Sequence, residues 1–384
     1  MTTLSIQVYS PLALGDDIFI GEYRDKINSY SHTISAIGGY DNASITINDN
    51  QNNIEEWIKF GLGRHIEVFN PGLVTIFEGF VNKITASLGT LQFTIGPLLD
   101  IGNHVAVSYT PIDTATDPPT TGVETLTDFT DDTDSQALYG QIEKIIPGNS
   151  AKDSSDAADI LAKFFNDPSG PWPATSRDSN LSGGSGPSVQ LDILGYWHWL
   201  NTYYYTDTNT GNRARSTKIQ DLLAAEPNGI FSTDYSQITT NTDTIQRQNL
   251  GRETAQTIML DVNKTGISNN RSLMGFYADR IFKYESVPTS YKYVQKLSDN
   301  RGVTDPATNM VRPWDVLPGK WIFYSDFLIG GSIPDSLATL QQDLRSGFIE
   351  QVRYDAAYGL SVNGIKLDDL GLFLEKLNLS NSGV

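Results

Sequence analysis

Apolar and polar residues alternate along much of this chain with a period of two, the spacing of a half-buried strand. Ile45 and Ile47 share one face of residues 44–48. Further runs at 65–69, 74–84, 91–95 and 105–109 are separated by Asn70-Pro71-Gly72, Leu88-Gly89-Thr90 and Gly102-Asn103. These residues turn for physical reasons: Pro fixes φ, Gly tolerates positive φ, and Asn bonds to its own backbone. Short strands at regular intervals predict a barrel or sandwich. Residues 50–61 break step. Ile54, Trp57, Ile58 and Leu62 recur at helical spacing, and Gly61 and Gly63 end the run.

Residues 112–137 are rich in Thr and Asp with paired prolines, which predicts an exposed linker or long loop. A strand is expected at 137–146. A helix capped by Ser154 or Ser155 is expected to run to about Phe165, with Ile160, Leu161, Phe164 and Phe165 inward. Residues 167–188, rich in Pro, Gly and Ser, read as another loop. Helices are predicted at 193–203, 217–225 and 252–262, the last two ended by Pro227-Asn228-Gly229 and Gly266. Residues 273–288 then read as a hairpin turning at Ala278-Asp279-Arg280. In it Phe282 and Tyr284 alternate with Lys283 and Glu285. Strands at 291–296, 321–324 and 348–354 follow, with a short amphipathic helix at 367–377. The fold class is mainly β with α+β insertions. The pattern divides into a β-barrel region at 1–111, the Thr/Asp segment 112–137, an α+β middle region at 138–265 and a barrel-like region at 266–384. No tandem repeat at fixed period is visible.

Composition narrows the function. The 384 residues carry 27 basic and 45 acidic side chains, a net charge of −18. That argues against stable nucleic-acid binding, which needs clustered Lys and Arg for phosphates. The absence of cysteine excludes disulfides and thiolate metal sites. The first residues show no basic start followed by an apolar run, so no signal peptide is expected. No apolar run is long enough to span a bilayer.

Candidate chemistry is sparse. His32, His65, His104 and His198 are scattered, with no ligand spacing such as i, i+4, so no metal site is expected from them. Ser185 lies in a Gly-Gly-Ser-Gly-Pro run, which lacks the final glycine of a nucleophile elbow. The run from Gly61 to Ile66 lacks the third glycine of a dinucleotide fingerprint. Asp207, Asn209 and Gly211 begin like a calcium loop, but position twelve is Lys218 where a bidentate Glu is required. Asp131, Asp132 and Asp134 read as a solvated acidic loop. The aromatic cluster Tyr196, Trp197, Trp199, Tyr203, Tyr204 and Tyr205 is the best candidate ligand platform or subunit interface. Aromatic faces stack on sugars and other flat ligands. Tyr196, Trp197 and Leu200 also share a face with Ile193, so core or interface packing competes with that reading. No catalytic, cofactor-binding or metal residue is assigned, and no enzyme activity is expected.

Several blocks, taken in order, resemble phage tail hub and baseplate hub proteins. The first domain of siphophage hub and distal tail proteins has counterparts in Ile37-Gly38-Gly39-Tyr40, Ala43-Ser44-Ile45, Trp57 and Leu62-Gly63-Arg64. The run from His65 to Asn70, then Phe77-Glu78-Gly79-Phe80-Val81, Gly102-Asn103-His104-Val105 and Tyr109, continue it. Tyr139-Gly140-Gln141-Ile142-Glu143 and Leu194-Gly195-Tyr196 match later strands of the pattern. The hairpin at 273–288, Val316-Leu317-Pro318-Gly319-Lys320-Trp321 and the run from Phe348 to Tyr354 match its close. The similarity spans nearly the whole chain, and its specificity lies in the order of the blocks. The 112–137 segment has no counterpart.

The resemblance implies two small tail-tube-like β-barrels with smaller α/β domains. It also implies a homotrimer whose three chains present a pseudo-sixfold ring. Such a ring joins the tail tube or a distal tail ring protein to a central spike, fibre or tape-measure protein, within the virion's tail tip. An acidic lumen would repel passing DNA. Two other readings are a carbohydrate-binding or carbohydrate-cleaving tail protein using residues 196–205, and a tail tube subunit. The length argues against the tube subunit, which needs one barrel.

Overall fold

The computed structural model describes residues 4–15, 17–116, 118–167, 170–179, 185–207, 212–245, 249–264, 266–267, 271–295, 303–304, 312–324, 346–356 and 359–365. The helix expected at 367–377 lies outside them.

Three N-terminal strands that the sequence reading did not place come first: β1 (Ser5–Pro11), β2 (Phe19–Tyr23) and β3 (Ile27–Ser35). The expected strands follow as β4 (Ile37–Asn48), β5 (Arg64–Phe69), β6 (Thr75–Gly89), β7 (Leu91–Ile95) and β8 (His104–Tyr109). Helix α1 (Gln51–Phe60) starts where the Asn50 side chain accepts the Asn53 N–H at 3.0 Å. It packs Ile54 and Trp57 onto β6 and the strand Ser185–Leu194. The Trp57 indole donates to the Tyr23 hydroxyl at 3.2 Å, and Arg64 lies over the Trp57 ring.

The main sheet runs β2-β1-β5-β6, then Ser185–Leu194, then β4-β3, then Ser346–Asp355, Trp321–Tyr324 and Tyr291–Gln295. Two of its joints are long-range. Ser185–Leu194 slots between β6 and β4, with Leu191 opposite Ile84 on one side and Ile45 on the other. Ser346–Asp355 pairs with β3, Val352 opposite Ile34. A single sheet therefore joins the N-terminal and C-terminal portions edge to edge. The class is mainly β with helical insertions, as expected. No closed barrel forms among the described residues.

Three elements differ from the sequence reading. The expected loop at 167–188 contains the strand Thr175–Ser179, paired with β7, and the start of Ser185–Leu194. Residues 193–203 are not a helix. Val189, Leu191 and Ile193 alternate with Gln190 and Asp192 as the end of a strand, and only His198–Asn201 coils, as a short 3-10 turn. Gly195 lies so close to Tyr40 that a Cβ there would sit 1.8 Å from its carbonyl oxygen. The expected strand at 137–146 is instead α2 (Thr133–Tyr139) followed by the strand Glu143–Pro147. Asp132, read as loop, is the N-cap of α2 and accepts the Ser135 N–H at 2.9 Å.

The Thr/Asp segment is mostly exposed, and its two-residue strands Thr125–Leu126 and Thr130–Asp131 flank β8. Helix α3 (Ser154–Asn166) lies as predicted, capped by Asp153, but Ile160, Leu161, Phe164 and Phe165 are only half-buried. Helices α4 (Arg215–Ala224) and α5 (Ala255–Asn263) sit within a residue or three of their expected bounds. The hairpin forms between Ser272–Phe276 and Phe282–Ser286. Its first strand pairs in parallel with β4, setting Met274, Gly275 and Phe276 opposite Ile37, Gly38 and Gly39. The Ile-Gly-Gly block and the hairpin, far apart in sequence, thus meet in register.

Candidate functional site

The aromatic residues at 196–204 are spent on internal packing. Tyr196, Trp197, Trp199 and Tyr203 are buried in the main core, and Tyr204 is half-buried. Their polar atoms are also engaged within the chain. The Trp199 indole donates to Glu226 at 3.0 Å, and the Tyr203 hydroxyl donates to the Leu222 carbonyl at 2.8 Å. The packing half of the sequence reading describes these rings; they present no exposed platform to a sugar.

Three of the four histidines pair individually with nearby groups. His32 is buried beside the Tyr30 hydroxyl, 2.8 Å from Nδ1, and burial depresses its pKa from 6.5 to about 3. His104 Nδ1 lies 2.6 Å from Asp131, and His198 Nε2 lies 2.7 Å from Asp41. The acidic run is structural: Asp131 bonds His104 and Gln136, and Asp132 caps α2. Lys218, which disqualifies the calcium-like loop, donates to Asp207 itself at 3.0 Å and lies over the Tyr205 ring.

The fourth histidine, His65, is the centre of a polar cluster that its spacing in sequence does not announce. Period two puts His65 and Glu67 on one face of β5. The β5–β6 register sets Glu67 directly opposite Glu78, and the β1–β5 register sets Tyr9 opposite His65. His65 Nε2 lies 3.6 Å from Glu67 Oε1 and 3.6 Å from Glu78 Oε1. Its Nδ1 shares a 2.6 Å hydrogen bond with the buried Tyr196 hydroxyl, and Tyr9 donates to Glu67 Oε2 at 3.0 Å. The side chains of His65 and Glu78 are each only 1% exposed and that of Glu67 is 19% exposed, so a fully buried carboxyl group faces a partly buried one.

The hairpin turn closes this cluster. Asp279 and Arg280 both adopt positive φ, 62° and 56°, which is costly for residues with a Cβ but matches the twist of a tight hairpin turn. That conformation aims the Arg280 N–H at Glu78 Oε2, 3.2 Å away. The guanidinium then lies near Glu78, Nε to Oε1 3.9 Å, and near Asp17, Nη1 to Oδ2 3.7 Å.

The two glutamates are driven apart electrostatically. Burial, with the charge of Glu67 across the ladder, pushes Glu78 up to about 8 against the pull of Arg280. Burial raises Glu67 as well, but His65, the Tyr9 hydrogen bond and Arg280 outweigh it and hold that carboxyl below its ordinary value. The Tyr196 hydroxyl, buried beside them, is raised by burial and by Glu78.

No family profile and no curated protein matches this chain. Among solved structures it is similar to the 43 kDa tail protein of prophage MuSo2 from Shewanella oneidensis. The identity is 9% and the TM-score 0.44, over 94% of this chain and 95% of that one. It is also similar to the tail protein from Neisseria meningitidis MC58, at 9% identity and a TM-score of 0.41 over the same shares. Among the described residues no helix is long and apolar enough to cross a membrane.

Proposed function

We propose that this chain is a structural phage tail protein, a hub of the tail tip or baseplate. In this reading it forms a homotrimeric ring of pseudo-sixfold character, joins the tail tube to the central spike or fibre apparatus, and lines part of the DNA conduit. It has no enzymatic role. The observation that carries the reading is the edge-to-edge joint between β3 and Ser346–Asp355. In this reading a ring subunit that stands for two positions holds two β units side by side, and the joint supports it by pairing strands from the two ends of the chain in one sheet.

Two further features support it. The blocks that resemble hub proteins are brought into contact: Ile37-Gly38-Gly39 pairs with the hairpin, and Trp321 of the Pro-Gly-Lys-Trp close sits opposite Phe348. At the far end of the sheet β2 is, among the described residues, an outermost strand, and Ile18, Phe19 and Ile20 beside and within it are exposed. A bare apolar edge invites association unless another strand covers it. In this reading a neighbouring subunit covers it. The net charge of −18 suits a conduit from which DNA phosphates must slip free.

Electron cryomicroscopy of the purified chain tests the proposal. Class averages with a threefold axis and a central channel are expected. Isolated single chains at micromolar concentration, or a closed dimer without a channel, contradict it. The carbohydrate reading has no observation in its favour once the aromatic rings are buried.

A further inference from the structure

We propose that His65, Glu67 and Glu78 form a binding site for a first-row divalent metal ion of the zinc type. The inference does not depend on the tail reading. It begins with donor chemistry: imidazole nitrogen and carboxylate oxygen are both zinc ligand types, and three protein ligands leave a fourth tetrahedral position open, the count found at catalytic zinc sites.

The geometry agrees. One donor atom from each residue lies within 4.8 Å of the other two. Zinc bonds of about 2.0–2.2 Å in a tetrahedral arrangement separate ligands by roughly 3.3–3.6 Å. The imidazole Nε2 stands 3.6 Å from an oxygen of each glutamate, so small side-chain movements complete the contacts. The backbone of β5 and β6 sets this spacing through the ladder, so the site is built on rigid elements.

The surroundings point the same way. Metal-bound histidines are oriented by a hydrogen bond at the other ring nitrogen. Here Tyr196 supplies it at Nδ1, leaving Nε2 directed between the carboxylates. Two carboxyl groups directly opposite on a ladder, one of them buried, cannot both hold a charge comfortably without a cation between them. A divalent ion gives both a common counter-charge. The protein's own alternative is incomplete. The Arg280 Nε has no hydrogen-bond partner among the described residues and stays 3.9 Å from Glu78. Arg280 sits on a turn, a quarter exposed, with Asp17 as a second partner toward which it can withdraw.

Isothermal titration of the chelator-treated full chain with ZnCl2 tests this. One ion per chain is expected, with at least tenfold weaker binding in His65→Ala and in Glu78→Gln. Arg280→Gln, which removes a competing cation, is expected to bind as tightly as the wild type or more so. Because buried substitutions can disturb folding, Glu67→Gln serves as a milder third variant, checked by circular dichroism. Cobalt(II) gives a readout on the unmodified chain: strong visible bands of a four- or five-coordinate ion are expected. Absence of zinc uptake, a six-coordinate cobalt spectrum, or uptake unchanged in all three ligand variants overturns the proposal.

Discussion

Glu67 and Glu78 face each other across the β5–β6 ladder, and Arg280 reaches them from the hairpin turn more than 200 residues away. A buried carboxylate pair without its cation is left with uncompensated desolvation, a loss of about 3–5 kcal/mol when a buried partner is removed. Arg280 is partly exposed, so its removal costs less than that range. Arg280→Ala is expected to cost about 2–3 kcal/mol in urea denaturation of metal-free protein. Much of that loss should vanish in a Glu78→Gln background. A double-mutant cycle with no coupling between the two positions would show that the turn does not serve the glutamates.

His32 gives the fold an acid sensitivity whose sign follows from its pKa. The folded value, about 3, lies below the ordinary 6.5 because burial between Tyr30, Phe77 and Tyr354 disfavours the imidazolium. The unfolded chain therefore binds a proton that the folded chain refuses between those values. The stability associated with neutral His32 is fully present above about 6.5 and is lost as pH falls toward about 3. The loss is at most about 1.4 kcal/mol per pH unit. Urea unfolding at a series of pH values should show a shallower decline in His32→Gln than in the wild type over that window.

Glycine is required where the Ile-Gly-Gly block crosses the hairpin. A Cβ on Gly275 would meet the Gly39 backbone nitrogen at 2.1 Å, an atom that cannot step aside. Gly275→Ala is expected to cost at least about 2 kcal/mol, at the upper end of overpacking penalties. Gly21→Ala on β2, where a Cβ meets nothing within 4 Å, is the control and should change stability little. Equal effects at the two positions would contradict the crossing.

The buried pair of Lys218 and Asp207 predicts both a stability effect and an absence of calcium binding by that loop. Lys218→Ala removes the ammonium that bonds the buried Asp207 carboxylate and should cost about 3 kcal/mol. Millimolar calcium should not raise the melting temperature through this segment. A calcium-dependent rise that Asp207→Asn abolishes would contradict the assignment.

Much of the fold is legible in the sequence where local chemistry decides it. Asn50, Trp57 and Gly61 announce α1, and the alternation about Phe282 and Tyr284 announces the hairpin. The misreadings come from competition between periods. Ile193, Tyr196, Trp197 and Leu200 fall at helical spacing, yet Val189, Leu191 and Ile193 also alternate. The vacant place between β4 and β6 selects the strand. That vacancy is a long-range fact with no local signal. The His65 cluster was partly readable. His65 and Glu67 alternate on one strand, and a hairpin closed at Asn70-Pro71-Gly72 brings Glu78 opposite Glu67. The spacing between histidines carries no signal of it, because its other ligands are glutamates. Arg280 and Tyr196 come from distant segments and could be placed there only by the folded chain.

The bare edge at β2 makes a sharper statement about assembly. Phe19→Glu puts a charge on an apolar edge that, in the proposed ring, lies between subunits. It should lower oligomer stability while leaving the fold of the single chain intact by circular dichroism. Unchanged assembly would move the interface elsewhere on the molecule.

The most direct test of the central claim is the native mass of the purified chain. A homotrimeric hub predicts a dominant species of about three times the 42.3 kDa chain mass, shifting to single chains in Phe19→Glu. A dominant monomer across the accessible concentration range would contradict it.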